Sequence, residues 1–313
     1  MDISFVIPCY CSGDNIRKVV QEIDAIMSNI EQTYEIILVN DGSPDNTFEI
    51  LEDIVKLHHN TIAIDLARNA GQHAAIMAGF NHTRGDLIIT CEDDGQTDIE
   101  IIPKLIDKIE QGYDVAAPRY IDRGKRSFFR EFGTKCATLM AKWMIPRPKD
   151  IFVPIFFVAK RFVIQETIKY NQPYPYIEGL ILRSTFNIAL VDAEQKERMA
   201  GKSGYTFSKM ISLWLNGFTS FSIKPLRLSV FLGVFTSVIG MIAGIVIIVN
   251  KIINPNVLMG WSSVISLLLF MFGILFIILG LIGEYIGRIY LCINKTPQFV
   301  VRQVVSNNNK RGE

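Results

Sequence analysis

Three carboxylates stand side by side at Glu92-Asp93-Asp94, followed by Gly95 and Gln96, and a fourth lies in the segment Asn40-Asp41-Gly42-Ser43. Adjacent carboxylates raise one another's pKa unless a cation sits among them. Carboxylate and amide oxygens are hard ligands suited to Mg²⁺ or Mn²⁺, and Mg²⁺ commonly shares its coordination with water and substrate phosphates. A metal-bound diphosphate is therefore the expected ligand. The segment around Asp41 also has a plainer use, since Gly42 permits a tight turn and Ser43, Asp45 or Asn46 can cap a following helix. No GxxxxGK[ST] loop occurs and no GxGxxG follows the first apolar run, which argues against ATPase-type phosphate binding and against a dinucleotide oxidoreductase.

These residues must be held by the elements around them. Short apolar runs at 3–7, 35–39, 61–65, 87–91 and 114–117 read as strands, and amphipathic stretches near 15–28, 46–58, 71–82 and 98–111 read as helices. The alternation predicts an α/β domain, a mostly parallel sheet with helices on both faces. In such sheets ligands collect beyond the carboxyl ends of the strands. Pro8, Cys9 and Tyr10 end the first strand, Asp41 follows the second and Glu92 to Gln96 follow the fourth, so the polar residues fall where one site would form.

With 313 residues the chain has room for more than one domain. Lys plus Arg is 32 against 31 for Asp plus Glu, a balance that argues against binding nucleic acid by bulk charge. Apolar residues make up 49%, and the excess lies near the C-terminus, where 229–250 and 252–283 carry no charge. Each run exceeds the roughly 20 residues needed to cross a bilayer core. Two transmembrane helices are expected, over 229–250 and 262–284, with Trp261 as an interfacial anchor. Lys224 and Arg227 precede them and Arg288, Lys295, Arg302, Lys310 and Arg311 follow, whereas the intervening turn offers Lys251. By the positive-inside rule both ends are cytoplasmic. The opening MDISFVIP lacks the pattern of a secretory signal peptide, so the preceding domain is also expected in the cytoplasm, at a plasma (bacterial inner) membrane.

Five cysteines without CxxC spacing point to reduced bystanders rather than a disulfide framework or zinc site. The four histidines show no metal spacing, and His73 is expected to order a helix near the site. The stretch 205–222 carries Phe207, Met210, Ile211, Leu213, Trp214 and Leu215 with Lys209 as its sole charge, the pattern of an amphipathic helix lying on membrane lipid. The divisions expected are thus a domain over 1–204, an interfacial segment over 205–228, a hairpin over 229–290 and a tail over 291–313. Within that tail KTPQFVVRQVV reads as a short strand returning to the first domain. Glycines 233, 240, 244, 273, 280, 283 and 287 permit close helix packing, within one chain or in a homo-oligomer.

The motifs FVIPCY, VNDGSPDNT, ARNAGQHAAIMAGF, CEDDGQ and ERMAGKSGYTFSKMISLWLNGFTSFSIKPLRL, in that order, resemble the family 2 glycosyltransferases. The branch they are most similar to is the polyprenyl-phosphate type, which includes dolichyl-phosphate mannose synthases and bactoprenol glucosyltransferases. The resemblance implies a GT-A fold that moves one sugar, with inversion, from a nucleotide-diphosphate donor (a UDP-sugar, or GDP-mannose) to undecaprenyl or dolichyl phosphate.

Carried over by position, the resemblance gives Asp41, Pro8 and Tyr10 to the nucleotide pocket. The usual acidic motif is DADLQ. Asp94 and Gln96 match its metal-coordinating Asp and Gln, and Asp94 is therefore also a catalytic residue. Glu92 stands for the first Asp, near the nucleotide or metal-bound water, and Asp93 is an added carboxylate, either contacting the donor sugar or supporting the ligands from behind. Arg119 and Arg130 fall where the family holds the acceptor phosphate, and Arg119 is expected to act in catalysis. Arg198, Lys202 and Ser203 lie in a segment like ERxxGxSK that closes over phosphates, with Gly204 at the usual Lys position. The DFRL-like acid is missing, which leaves Asp150 as its stand-in. The altered acidic motif and the missing acid keep a second reading open, a catalytically silent membrane scaffold or lipid-binding relative.

Overall fold

The computed structural model describes residues 1–13, 15–95, 97–120, 153–193, 224–254, 260–294 and 296–307. These fall into two compact units, one built from residues up to 193 together with 296–307 and the other from 224–254 and 260–294.

The first unit is a mixed eight-stranded sheet in the order β7-β5-β6-β4-β1-β2-β3-β8. The strands are β1 (Ile3–Cys9), β2 (Tyr34–Asn40), β3 (Thr61–Leu66), β4 (Leu87–Thr90), β5 (Val115–Tyr120), β6 (Phe157–Lys160), β7 (Ile188–Ala193) and β8 (Val301–Ser306). The centre is parallel: β1 pairs on one side with β2, Ile3 opposite Tyr34, and on the other with β4, Ile3 opposite Leu87. All seven residues of β1 are buried. Helices cover both faces, which is why such strands read as unbroken apolar runs instead of alternating ones.

On one face, α1 (Asn15–Met27) buries Ile16, Val19, Val20, Ile23 and Met27 at helical spacing, and α2 (Thr47–Leu57) and α4 (Ile102–Glu110) join it against Ile3, Phe5 and Ile7. On the other lies α3 (Gln72–Phe80), buried along its length from Ala74 onward. Its approach depends on Gly79, where an added Cβ would meet Val6 Cγ1 at 2.4 Å and Val39 Cγ2 at 3.2 Å. The amino ends of the central strands are tied by buried Glu35, which accepts from the Ser4 hydroxyl and the Arg84 N–H, each at 2.7 Å, and pairs with the Arg84 guanidinium at 3.1 Å.

The five strands and four helices expected up to residue 117 are present, with ends shifted by up to four residues. Beyond them the structure adds β6, α5 (Arg161–Ile168), α6 (Ile177–Ser184) and β7. Strand β6 runs antiparallel between β4 and β5, so the sheet is mixed at this side. The place of β6 in the sheet is set by pairing with strands distant in sequence, which local periodicity does not report. The tail strand is β8, antiparallel to β3 along the far edge.

The second unit holds α7 (Lys224–Ile253) and α8 (Trp261–Ile293). Both are long and apolar enough to cross a membrane, with windows Ser229–Val246 and Phe270–Ile293 at mean hydropathy 2.2 and 2.1. They extend past the expected 229–250 and 262–284 at both ends. Charges near helix ends mark the edge of the apolar run but leave backbone hydrogen bonding intact, so the helix outlasts the hydrophobic pattern. The interfacial segment expected over 205–228 lies outside the described residues up to 223, and from Lys224 onward it is already part of α7.

Gly79→Ala is expected to destabilise the sheet domain by about 1–3 kcal/mol, because the new methyl has Val6 in its place. A lowered thermal midpoint of the full chain in detergent, with α-helical signal retained below it, would register this.

Candidate active site

The candidate site lies at the carboxyl ends of β1, β2 and β4, where the chain leaves β1 toward β2 on one side and β4 lies on the other. This is the topological switch point of a doubly wound sheet. The ladder extends past the strands: the Asp41 N–H donates to the Cys9 carbonyl at 2.9 Å and the Cys91 N–H to the Val6 carbonyl at 3.1 Å.

The loop after β1 hangs from its neighbours by its backbone. The Tyr10 N–H donates to Asp93 Oδ2 at 3.2 Å, the Cys11 N–H to Ser43 Oγ at 3.1 Å and the Ser12 N–H to Thr47 Oγ1 at 3.1 Å. The Ser12 hydroxyl also donates to Asp93 Oδ2. Cys11 is held at φ 52°, a left-handed conformation that few residues other than glycine adopt, and half-exposed Tyr10 presents its ring at the rim. Pro8 lies buried in β1 beneath it.

Asp41 works on the opposite side. Its carboxylate accepts from the Ala70 N–H at 2.7 Å and the Gly71 N–H at 2.9 Å, which fixes the loop that enters α3. Gly42 makes this fit possible: it sits at φ 62°, and an added Cβ would meet the Arg68 carbonyl carbon and the Asn69 nitrogen at 2.5 Å. Burial pushes the pKa of Asp41 up, and these two N–H donors oppose the rise. Asp93 is likewise raised by burial, with Ser12 and Tyr10 pulling it back and Asp94 adding to it.

Negative charge gathers at this end of the sheet. The Tyr120 phenol, at the end of β5, is pushed up first by burial and then by the carboxylates of Glu92, Asp98 and Asp94. Burial raises the Cys9 and Cys91 thiols too, with Asp93 and Glu92 adding to the respective effects. Such thiols are inert, in keeping with their expected bystander role. Among the described residues no three His, Cys, Asp or Glu side chains form a group able to hold a metal ion. Gln96, the expected partner of Asp94, lies outside the described residues. The oxygen donors and their mutual repulsion fit a hard divalent cation, for which Asp94, in the loop after β4, is the candidate, with Glu92 beside it.

Arg119 projects from the end of β5 and is engaged by Asp192 on β7, with Nη2 at 2.6 Å from Oδ1. Both side chains are exposed, so the pair can exchange for another anion. Arg130, Asp150, Arg198, Lys202, Ser203 and Gly204 lie outside the described residues. His73, at the start of α3, accepts from the Ile177 N–H at 3.5 Å and packs edge-on to Tyr176, and burial lowers its pKa to about 4. A neutral imidazole so placed serves packing. Ser12, Thr47 and Asp65 were not expected here. Asp65 ends β3, so the strand-end rule that found Asp41 would have reached it.

Residues 4–168 match the family description Glycosyl transferase family 2, and residues 224–289 match GtrB C-terminal hairpin. The chain belongs to glycosyl transferase family 2. It is 35% identical over 311 residues to an undecaprenyl-phosphate 4-deoxy-4-formamido-L-arabinose transferase of Proteus mirabilis, covering 97% of this chain and 94% of the relative. It is 32% identical to the uncharacterized glycosyltransferase YkcC of Bacillus subtilis, covering 98% and 95%. Its fold is similar to that of glucosyl-3-phosphoglycerate synthase from Mycobacterium tuberculosis, solved in complex with Mn²⁺, UDP and phosphoglyceric acid, at TM-score 0.50 and 19% identity over 68% of this chain and 75% of that one. The glycosyltransferase therefore carries the GT-A type of sheet and a two-helix hairpin, as its motifs implied.

Because burial raises Asp93, the folded state favours its protonated form, and its contribution to stability falls as pH rises from the unfolded value near 4 through the folded one. In metal-free buffer the thermal midpoint of Asp93→Asn minus that of the wild type should therefore climb with pH across that window. A flat difference would mean that Asp93 ionises as freely folded as unfolded.

Proposed function

We propose that this glycosyltransferase transfers one sugar from a nucleotide diphosphate, a UDP-sugar first, to undecaprenyl phosphate, as an inner-membrane enzyme with its sheet domain and both termini in the cytoplasm. The observation that carries the reading is the pairing of two features in one chain: acid-bearing strand ends converging at the switch point of the sheet, and two helices long enough to span a bilayer. The near full-length similarity to an enzyme named for undecaprenyl phosphate supports the acceptor, and the fold neighbour crystallised with UDP and Mn²⁺ supports donor and cation.

The roles follow from the chemistry of each side chain. Tyr10, Pro8 and Asp41 receive the nucleotide, with the exposed ring of Tyr10 as a face for the base. Asp94 and Gln96 would hold Mg²⁺ or Mn²⁺, which when bound neutralises charge on the leaving diphosphate, with Glu92 near the nucleotide or a metal-bound water. Asp93 keeps the loop after β1 in place and faces the donor side. Arg119, joined by Arg130, Arg198 and Lys202, would grip the lipid phosphate once released from Asp192.

A phosphate monoester has its second pKa near 6, so the acceptor is already an oxyanion at neutral pH and needs no strong general base. The protein's part is to align that oxygen behind the anomeric carbon and to stabilise the departing charge. Direct displacement inverts the anomeric centre. This accounts for a chain without the DFRL-like acid, because proton abstraction is not required of it.

Purified enzyme in detergent with undecaprenyl phosphate, Mn²⁺ or Mg²⁺ and a panel of UDP- and GDP-sugars should yield a lipid-linked sugar by mass spectrometry, abolished by EDTA. Asp94→Asn should lower transfer by about 100-fold or more, the scale of losing one stabilising group for a developing charge. Transfer that survives EDTA, or an Asp94→Asn enzyme with full activity, would remove the metal from this reading.

A further inference from the structure

The strand that returns after the hairpin reaches the donor loops through a line of side chains. Arg302, on β8, sets Nη1 at 2.9 Å from Asp65 Oδ2 at the end of β3. The other oxygen of Asp65 accepts from Asn40 Nδ2 at 2.7 Å, at the end of β2. Asn40 Oδ1 accepts from the Ser43 N–H at 3.3 Å, and Ser43 Oγ accepts from the Cys11 N–H at 3.1 Å in the loop after β1. Four neighbouring strands are thus linked, β8 to β3 to β2 to β1, at the ends that build the site.

Two further observations bear on this line. The β3–β8 register slips between Asp65 and Leu66, with Asp65 opposite Gln303 and Leu66 opposite Val301, so Arg302 is the extra residue of a bulge. Bulges beside sites re-aim a side chain, and this one directs Arg302 across the strand end. The burial is lopsided as well: the Asp65 side chain is 4% exposed and that of Arg302 61%. A carboxylate removed from water needs charge or hydrogen-bond partners to hold it in place. Arg302 supplies charge, and its Nη2 also donates to the Ala67 carbonyl at 3.0 Å, while the Ala67 N–H donates to the Val300 carbonyl at 2.8 Å. The same loop, three residues on, carries the Ala70 and Gly71 N–H groups that bind Asp41.

We infer that Arg302 is a positioning residue for the donor: through Asp65 and Asn40 it holds the loops at 10–12, 41–43 and 67–71 in the arrangement that receives the nucleotide. The inference rests on the proposed donor site and adds to it a residue from beyond the membrane hairpin. The strand following the hairpin is then a working part of the catalytic domain.

The test uses the full chain in detergent, as wild type, Arg302→Met, Arg302→Lys and, as a control on the same strand, Gln303→Ala. Amide hydrogen exchange without donor should quicken in peptides covering 8–13, 40–47 and 67–72 of Arg302→Met and stay unchanged in those covering α1 and α4. KM for the nucleotide sugar should rise about tenfold, the scale of one hydrogen bond to a charged group, with kcat held within about twofold. Arg302→Lys, which keeps the charge, should recover most of this, and Gln303→Ala should match the wild type. Exchange and KM equal to wild type in Arg302→Met would overturn the inference, and so would a uniform loss of protection with kcat falling alongside, which is the mark of a residue that only stabilises the fold. Exchange is read without donor, so absence of transfer by the wild-type enzyme would count against the proposed function and leave the Arg302 link to be decided by the exchange result.

Discussion

The centre of the sheet rests on β1, a strand buried along its whole length and hydrogen-bonded on both sides to parallel neighbours. With both edges occupied and both faces covered, its register is set by packing, since a slip of one residue would exchange Phe5 and Ile7 on the α1 side for Val6 on the α3 side. The amino ends of β1, β2 and β4 are bound together by Glu35 with Ser4 and Arg84. The carboxyl ends are left with polar residues, among them Asp41, Glu92, Asp93 and Asp94.

The chemistry of that end grows out of the constraint. Backbone N–H groups emerging from the strands need acceptors, and the carboxylates of Asp93 and Asp41 provide them at Tyr10, Ala70 and Gly71. Two carboxylates are thereby used to build loops and become less willing to ionise through burial. Glu92 and Asp94 add charge that the Tyr120 phenol registers across the strand ends. A diphosphate brought there without a cation would be repelled, which gives a physical reason for a metal in a site of this composition.

The end of β5 is built differently. Arg119 pairs with Asp192 at the exposed end of β5 and β7, a pair worth little in water and open to exchange with another anion. A nucleophile that is already an anion shifts the burden of catalysis to orientation and charge. A chain with an altered acidic motif thus still belongs to glycosyl transferase family 2, matched over residues 4–168.

Much of this was determined by the sequence alone. Burial on two faces demands unbroken apolar strands, a bilayer demands long uncharged runs, and polar residues after strands must lie at the sheet's carboxyl edge, so β1 to β5, the two apolar helices and the places of Asp41 after β2 and of Glu92 to Asp94 after β4 were legible. Their partners were not. That Asp93 would serve the loop after β1, that Arg119 would find Asp192, and that Arg302 would reach Asp65 across 237 positions of sequence depend on strand order, in which β8 lies beside β3 and β7 beside β5. Local spacing specifies which face a residue occupies. Pairing between distant strands is decided by how the whole sheet buries its edges, and only the tertiary structure contains that.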